Sequence, residues 1–457
     1  MKQAFFNRRS AVGKFFTLTF VILAIIFSVN AQPAAEPARA RQGQLISEFE
    51  VNGLKVIVKR RPGAPTVSAG LFVRGGVRNL TPQTAGIEGL TLAVAVEAGK
   101  KFPRELLRKE LSRTGSSIGA GADEDFSVIS LSSTREHFDR TWEIFTDVAM
   151  NPAFTQEDFS LVREKILTGL RNQSVSPDNF LNVLQSRIIY ANHPYTNDPN
   201  GTIETVSSFK LEDVRAYHQK IMQTSRLLLV VVGDVEQETL QKRVAESLGK
   251  LPRGDYKETP LPPLNFDKPT LDITERNVQT NYIRGVFAAP SLSSPDYHAM
   301  RVAITLLQSR VNQEVRVKRQ LSYAPNAEMG DSAANTANIY VTAVDANQAV
   351  AVMLNEIENM KKYPVSEDSF VGLPGYFLTT YYIKQETNTA QVAELARYEL
   401  VGGGWRNSLT FIDKIREVTP RDVQRVAQKY MKNLRFIVIG NPSAINREIF
   451  LQTAQNK

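Results

Sequence analysis

Hydrophobic and polar positions repeat along the two halves of the chain. Residues 211–222 and 420–431 form amphipathic helical patterns that share Asp, Val, Gln, Lys and Met at a constant offset of 209. An apolar run closed by glycine follows each pattern, at 227–233 and 436–440, as is typical of a buried strand. The repeat predicts two copies of a unit of roughly 200 residues.

A weaker repeat supports the same organisation. Residues 125–133 alternate as a strand does and precede a helical pattern near 136–150. In the second half, 338–343 has the strand pattern and 347–362 the helical one. Each half is therefore predicted to be α+β, with strands and helices in the same order.

The first 31 residues predict a secretory signal peptide. A basic start precedes an apolar run from Phe15 to Val29, and small residues follow at a plausible cleavage site. The fifteen residues of this run fall short of the ~20 that a membrane-spanning helix needs. We expect cleavage and a periplasmic mature chain without a membrane span, with an uncleaved N-terminal membrane anchor as the alternative.

Composition then divides the rest of the chain. Residues 251–269 contain five prolines and predict a stiff linker between the two units. The expected segments are a signal peptide at 1–31, a flexible leader at 32–43, an N-terminal domain at 44–250, the linker at 251–269 and a C-terminal domain at 270–457.

Charge and cysteine content restrict the function classes. The formal charge of +8 falls to +4 without the four basic residues of the signal. The remaining basic residues are dispersed, which argues against a nucleic-acid partner. The chain has no cysteine, so it forms no disulfides. An acidic run at 123–125 predicts a solvated turn before a strand, because it lacks the loop of a calcium site.

One helical stretch resembles a metal site without its ligands. Residues 86–97, Gly-Ile-Glu-Gly-Leu-Thr-Leu-Ala-Val-Ala-Val-Glu, resemble the helix of the M16 (insulinase/pitrilysin-type) zinc peptidases that carries His-x-x-Glu-His. Gly89 and Ala93 stand where that family has its zinc-binding histidines, and Leu92 where it has the general base. The family's spacing places its third ligand at Gly169. None of these side chains can coordinate zinc or move a proton, so the resemblance implies that this chain binds no metal.

The resemblance extends over nearly the whole mature chain. It includes a pair of strands at 54–58 and 67–74, a His-Pro-Tyr segment at 193–195 and the segment 316–324. It implies two homologous M16-type (LuxS/MPP-like) domains, each a mainly antiparallel sheet packed by helices and joined by the proline-rich linker.

Arg316 and Tyr323 are the candidate functional residues. In bacterial heterodimeric M16B-like peptidases, one subunit carries the zinc motif and its partner carries an Arg and a Tyr seven positions apart. Arg316 and Tyr323 have this spacing. The resemblance implies that they bind substrate and stabilise the transition state, because both can donate hydrogen bonds to a developing oxyanion. Without that context, Arg316 beside Lys318 and Arg319 would be part of a solvated helix face.

The resemblance therefore implies a non-catalytic partner subunit of an exported heterodimeric M16 zinc peptidase, inactive alone. Zinc is expected on the His-x-x-Glu-His partner subunit, and unstructured peptides are the expected substrates. The alternative is a scaffold or peptide-binding subunit of a complex with no proteolytic role. A self-sufficient peptidase would need a metal site that the sequence does not contain.

Overall fold

The computed structural model describes residues 43–452; the predicted signal peptide lies outside the described residues. Within these residues the strands are β1 (Ile46–Val51), β2 (Leu54–Arg60), β3 (Thr66–Arg74), β4 (Ser117–Ala122), β5 (Phe126–Thr134), β6 (Leu227–Gly233), β7 (Thr270–Glu275), β8 (Asn281–Ala288), β9 (Asn326–Met329), β10 (Thr336–Ala343) and β11 (Arg435–Gly440). They form two sheets, one in each half. The first has the strand order β1-β2-β6-β3-β5-β4, and the second β7-β11-β8-β10-β9.

With β1 set aside, the two sheets have the same topology. β2 and β6 are parallel, as are β7 and β11. The other pairs that define the two orders are antiparallel. The predicted α+β fold with two homologous, mainly antiparallel sheets is confirmed.

The strands at 54–58 and 67–74 are not paired with each other. The apolar strand β6 is inserted between β2 and β3, parallel to the first and antiparallel to the second. Every residue of β6 is buried. A strand covered on both faces has no solvent side, which explains its continuous apolar run.

Helices cover the sheets. They are α1 (Ile87–Ala95), α2 (Arg104–Thr114), α3 (Phe138–Met150), α4 (Gln156–Asn172), α5 (Pro177–Ile189), α6 (Ile203–Ser208), α7 (Leu211–Ile221), α8 (Gln237–Glu246), α9 (Tyr297–Val311), α10 (Ala346–Lys362), α11 (Leu373–Lys384), α12 (Asn388–Leu400), α13 (Phe411–Arg416), α14 (Pro420–Tyr430) and α15 (Arg447–Phe450), with a π-helical segment at Asn312–Lys318. Short 3₁₀ helices lie at Gly76–Asn79, Pro194–Thr196, Thr224–Arg226, Leu248–Lys250, Glu367–Phe370, Trp405–Thr410 and Pro442–Ala444. Between residues 43 and 452, no helix combines the length and apolar composition needed to cross a bilayer.

Two of the residue types repeated at an offset of 209, Asp and Met, have the same structural roles at α7 and α14. The carboxylate of Asp213 accepts a hydrogen bond from the N-cap backbone N–H of α7 at 2.8 Å, and that of Asp422 does the same for α14 at 3.1 Å. Met222 and Met431 follow the two helices and are buried. Capping and burial therefore explain why these residue types recur.

Each half lends a helix to the sheet of the other. Val392 and Leu395 of α12 belong to the same buried cluster as Leu228 and Val230 of the first sheet. Reciprocally, α5 packs on the second sheet, where Leu181 and Ile189 contact a cluster of β8 and β11 side chains. This exchange buries apolar surface of both sheets, so the two halves support each other.

The proline-rich segment 251–269 has no helix or strand and follows the surface of both halves. The backbone N–H of Ser225 donates to the carbonyl of Arg253 at 2.9 Å. At the other end, the Asn433 amide donates to the carbonyl of Phe266 at 2.8 Å. These bonds hold the segment at both ends.

Candidate functional site

The first position of the lost zinc motif is covered by a loop. A Cβ atom built on Gly89 would lie 2.8 Å from the carbonyl oxygen of Pro199 and 3.4 Å from the Cβ of Ala122. The same loop contacts the start of α1, where a Cβ on Gly86 would lie 2.6 Å from the Cα of Gly201. The loop backbone therefore occupies the space that a histidine at position 89 would need.

The other positions that correspond to the zinc motif are either packed against apolar side chains or have free space beside them. Leu92 is 0% exposed and belongs to the core of the first sheet. Ala93 packs against the buried cluster that contains Phe159 of α4. Gly169 is also on α4, but a Cβ there would meet nothing within 4 Å. The structure thus brings α1 against α4, but the side chains at these positions contain no atom that can coordinate zinc. These residues therefore do not fit zinc.

The one carboxylate buried on α1 belongs to a structural ion pair. Glu88 is 2% exposed, and its Oε2 lies 2.8 Å from Nη2 of Arg226. Tyr217 donates to the same oxygen at 2.9 Å, and Ser127 donates to Oε1 at 2.6 Å. Burial raises the pKa of Glu88, and the charge of Arg226 opposes that shift. The carboxylate therefore anchors α1 and is unavailable to a metal ion.

The acidic run at 123–125 is not the solvated turn that its sequence predicts. Asp125 is buried, pairs with Arg78 at 3.2 Å, and accepts hydrogen bonds from the Tyr195 hydroxyl and, at 3.0 Å, from the Ala333 backbone N–H. Arg78 and Tyr195 belong to the first half and Ala333 to the second, so Asp125 joins the halves. The sequence did not indicate this because the partners are distant along the chain.

Asp123 also joins the two halves, and Glu124 lies beside it. The Asp123 carboxylate lies 2.7 Å from Nη2 of Arg397 on α12. Burial, and then the neighbouring Asp123, raise the pKa of Glu124 to about 8. In the described part of the chain, no group of three or more His, Cys, Asp or Glu side chains is arranged to hold a metal ion.

Arg316 and Tyr323 are brought together in the second half. Arg316 lies on the π-helical segment Asn312–Lys318, and its guanidinium carbon is 4.3 Å from the centre of the Tyr323 ring. Tyr323 is 80% exposed, and Arg316 is exposed as well. The segment is fixed from below, because Val315 is buried and its carbonyl accepts a hydrogen bond from the Leu321 N–H at 2.9 Å.

The two cations beside Arg316 share one carboxylate. Lys318 lies 2.6 Å from Glu314, and Arg319 also pairs with Glu314. Within residues 43–452, Arg316 forms no ion pair, and its guanidinium stacks on the Tyr323 ring. The structure thus presents a guanidinium and a phenol together at the surface, where both could donate to a bound molecule.

Models of one peptidase family match two successive parts of the chain. Residues 55–202 match the model "Insulinase (Peptidase family M16)", and residues 208–372 match "Peptidase M16 inactive domain".

Relatives of similar length cover nearly all of the chain. An uncharacterized zinc protease of Mycobacterium leprae is 23% identical over 443 residues, which is 92% of this chain and 97% of that protein. The non-peptidase homolog YmxG of Helicobacter pylori is 20% identical, over 88% of this chain and 95% of its own length.

A solved structure has the same fold within a longer chain. The periplasmic protease PqqL from Escherichia coli superposes with a TM-score of 0.74 at 15% identity. The match covers 91% of this chain and 50% of PqqL.

Proposed function

Because the chain belongs to the insulinase-type peptidase family M16, we propose that it is the non-catalytic subunit of an exported two-chain zinc peptidase. The partner subunit would carry His-x-x-Glu-His and the zinc. This chain would supply Arg316 and Tyr323, which bind the substrate backbone and stabilise the oxyanion, and unstructured peptides would be the substrates.

The observation that carries this proposal is the contrast between the two halves. In the first half, the Pro199 carbonyl and the buried Leu92 leave neither room nor ligands for zinc. In the second half, Arg316 and Tyr323 are stacked and exposed. Hydrolysis by zinc requires a bound water and donors for the developing negative charge. This chain offers hydrogen-bond donors and no zinc-bound water. A zinc-bearing subunit would supply the zinc-bound water, so the two chains would complement each other.

The length of PqqL supports a second M16 unit. This chain matches half of that protease. Another unit of similar size, supplied by a separate chain, would complete an assembly of comparable length. Export would follow from the signal peptide predicted at 1–31, which lies outside the described residues.

The test is peptide hydrolysis by the purified chain and by the complex recovered with it from its host. We expect the chain alone to be inactive and the complex to cut an unstructured fluorogenic peptide until a zinc chelator is added. Tyr323→Phe should lower kcat of the complex by about 10²–10³, because it removes one oxyanion donor and keeps the ring. Arg316→Ala should lower kcat/KM without changing the amount of complex recovered.

The matched controls are exposed residues without the proposed role. Lys318→Ala lies on the same segment as Arg316, and Tyr363→Phe removes a hydroxyl from a tyrosine that is 56% exposed. Both should leave turnover unchanged. Full activity of the Tyr323→Phe and Arg316→Ala complexes would refute the catalytic role. A stable complex that cuts no peptide would instead favour a scaffold or peptide-binding subunit.

A further inference from the structure

A second feature of the C-terminal half has the character of a binding site. A cavity of about 390 Å³ lies between α9, α11 and α12. Phe377 and Tyr381 of α11 line it, as do Tyr398 of α12 and Phe411 of α13. The ring centres of Tyr381 and Phe411 are 6.1 Å apart in a stacked arrangement. Aromatic side chains from three helices therefore form its wall.

The cavity also contains a carboxylate without a direct partner. Glu394 of α12 lines it and is half-buried, yet no hydrogen bond or ion pair in the described chain reaches its oxygens. The other acid of the lining, Asp331, lies 3.2 Å from Nη1 of Arg397. Arg397 is held by Asp123 as well, at 2.7 Å. Its charge is therefore already matched by two carboxylates, and Glu394 is left without a direct counter-ion.

The surroundings of Glu394 make an unpartnered charge costly. Burial raises its pKa to about 7, although the charges of Lys59 and Lys384 oppose that shift. Lys384 is an exposed residue of the lining and forms no ion pair in the described chain. The third basic residue of the lining, Arg301, donates to the carbonyl of Met329 at 2.9 Å. Burial raises the pKa of the Tyr381 phenol too, and the charge of Glu394 adds to that shift. A cation placed beside Glu394 would recover the electrostatic energy that burial removes.

The helix that carries Glu394 packs on both halves of the chain. While Glu394 and Tyr398 face the cavity, Val392 and Leu395 on the other side of α12 are buried against the first sheet. Glu394 and one ring of the aromatic wall, that of Tyr398, are thus presented by a helix that packs on both halves. Such a preformed arrangement of rings and a negative charge is suited to a guanidinium or ammonium group on an apolar stem.

We propose that this cavity binds the basic side chain of an extended peptide, with its cationic group against Glu394 and its methylene groups against the aromatic wall. This inference rests on the proposed role in binding peptides. It concerns a site other than Arg316 and Tyr323, so its failure would leave the turnover test of those residues standing.

Binding to the purified chain without a partner tests the cavity directly. Three fluorescently labelled, blocked hexapeptides that differ at one central position, Arg, Leu or Glu, are titrated and followed by anisotropy. We expect the Arg peptide to bind at least tenfold more tightly than the Leu peptide, and the Glu peptide most weakly. Glu394→Gln should remove the preference for Arg and leave the affinity of the Leu peptide unchanged.

Two further variants distinguish the cavity from general surface charge. Glu386→Gln removes the same charge from an exposed residue outside this cavity and should preserve the preference. Ala393→Phe fills the cavity from a lining position and should weaken the Arg peptide while Glu394 stays in place. Equal affinities for Arg and Leu peptides, or an Arg preference that survives Glu394→Gln, would overturn the proposal. Failure of all three peptides to bind at millimolar concentration would do the same.

Discussion

Replacing Gly89 by alanine tests whether the loop at Pro199 closes the position of the first lost zinc ligand. In an unobstructed helix, Gly→Ala stabilises a protein by about 0.5–1 kcal/mol, since alanine restricts the unfolded chain and favours helix. At Gly89 the new Cβ would lie 2.8 Å from the Pro199 carbonyl oxygen. The obstacle is backbone, so it cannot be relieved by rotating a flexible side chain.

The structure also indicates the sign and the size of the change in unfolding free energy caused by Gly89→Ala. Overpacking of this kind costs typically about 1–3 kcal/mol, which exceeds the helix-propensity gain. We expect Gly89→Ala to lower the free energy of unfolding by roughly 1–2 kcal/mol. Gly169→Ala is the matched control, because it is also helical and its Cβ would meet nothing within 4 Å. It should stabilise the protein by up to about 1 kcal/mol.

Urea unfolding followed by tryptophan fluorescence measures both changes. One of the two tryptophans, Trp142, is buried in the core of the first sheet together with Leu92, so it reports on the half that contains α1; the other, Trp405, is buried in the cluster of the second half. The midpoints are compared at equal slope, which separates changes in stability from changes in the unfolded state. If Gly89→Ala unfolds at or above the wild-type midpoint, the loop yields easily and our reasoning about a sterically closed site is wrong.

Two other variants test charges that the fold buries. Arg226→Leu should destabilise the protein by about 3–5 kcal/mol in the same unfolding assay, since it leaves Glu88 buried without its counter-ion. An additional Glu88→Leu change should recover part of that loss. An Arg226→Leu variant as stable as wild type would contradict this reasoning. Glu394→Gln should change the dependence of stability on pH. Burial raises the pKa of Glu394 from 4.5 to about 7, although the charges of Lys59 and Lys384 oppose that shift. The contribution of Glu394 to the stability of the wild type therefore falls as pH rises through this interval. The gain of the variant over wild type should grow by about 3 kcal/mol between pH 4.5 and pH 8; parallel pH profiles would refute it.

The sequence was sufficient to predict the duplication because its signals are local. The carboxylates of Asp213 and Asp422 cap helices within one turn, and the apolar runs that follow are buried strands. Capping and hydrophobic periodicity depend on residues a few positions apart, so they are visible without a structure. Arg316 and Tyr323 could be proposed as a pair only through the resemblance to the family's Arg and Tyr at the same spacing, and they are found stacked at 4.3 Å.

What the sequence could not indicate are contacts between distant segments. Neither the exchange of α5 and α12 between sheets nor the burial of Asp125 leaves a local pattern, because each depends on partners in the other half. The lack of zinc ligands was evident from Gly89, Leu92 and Ala93. That the Pro199 loop also closes the space over Gly89 follows only from the three-dimensional packing.

The Arg316–Tyr323 pair contributes little to stability, and this makes it informative about function. A guanidinium stacked on an exposed ring contributes about 0.5–1 kcal/mol, and Tyr323 is 80% exposed. The segment is held by the burial of Val315 and by its backbone hydrogen bond from Leu321, neither of which involves the pair. Substituting the pair should therefore change what the surface offers to a ligand and leave the fold intact. A loss of turnover in the assembled complex would then report on chemistry, because the structure gives these two side chains no larger role in folding.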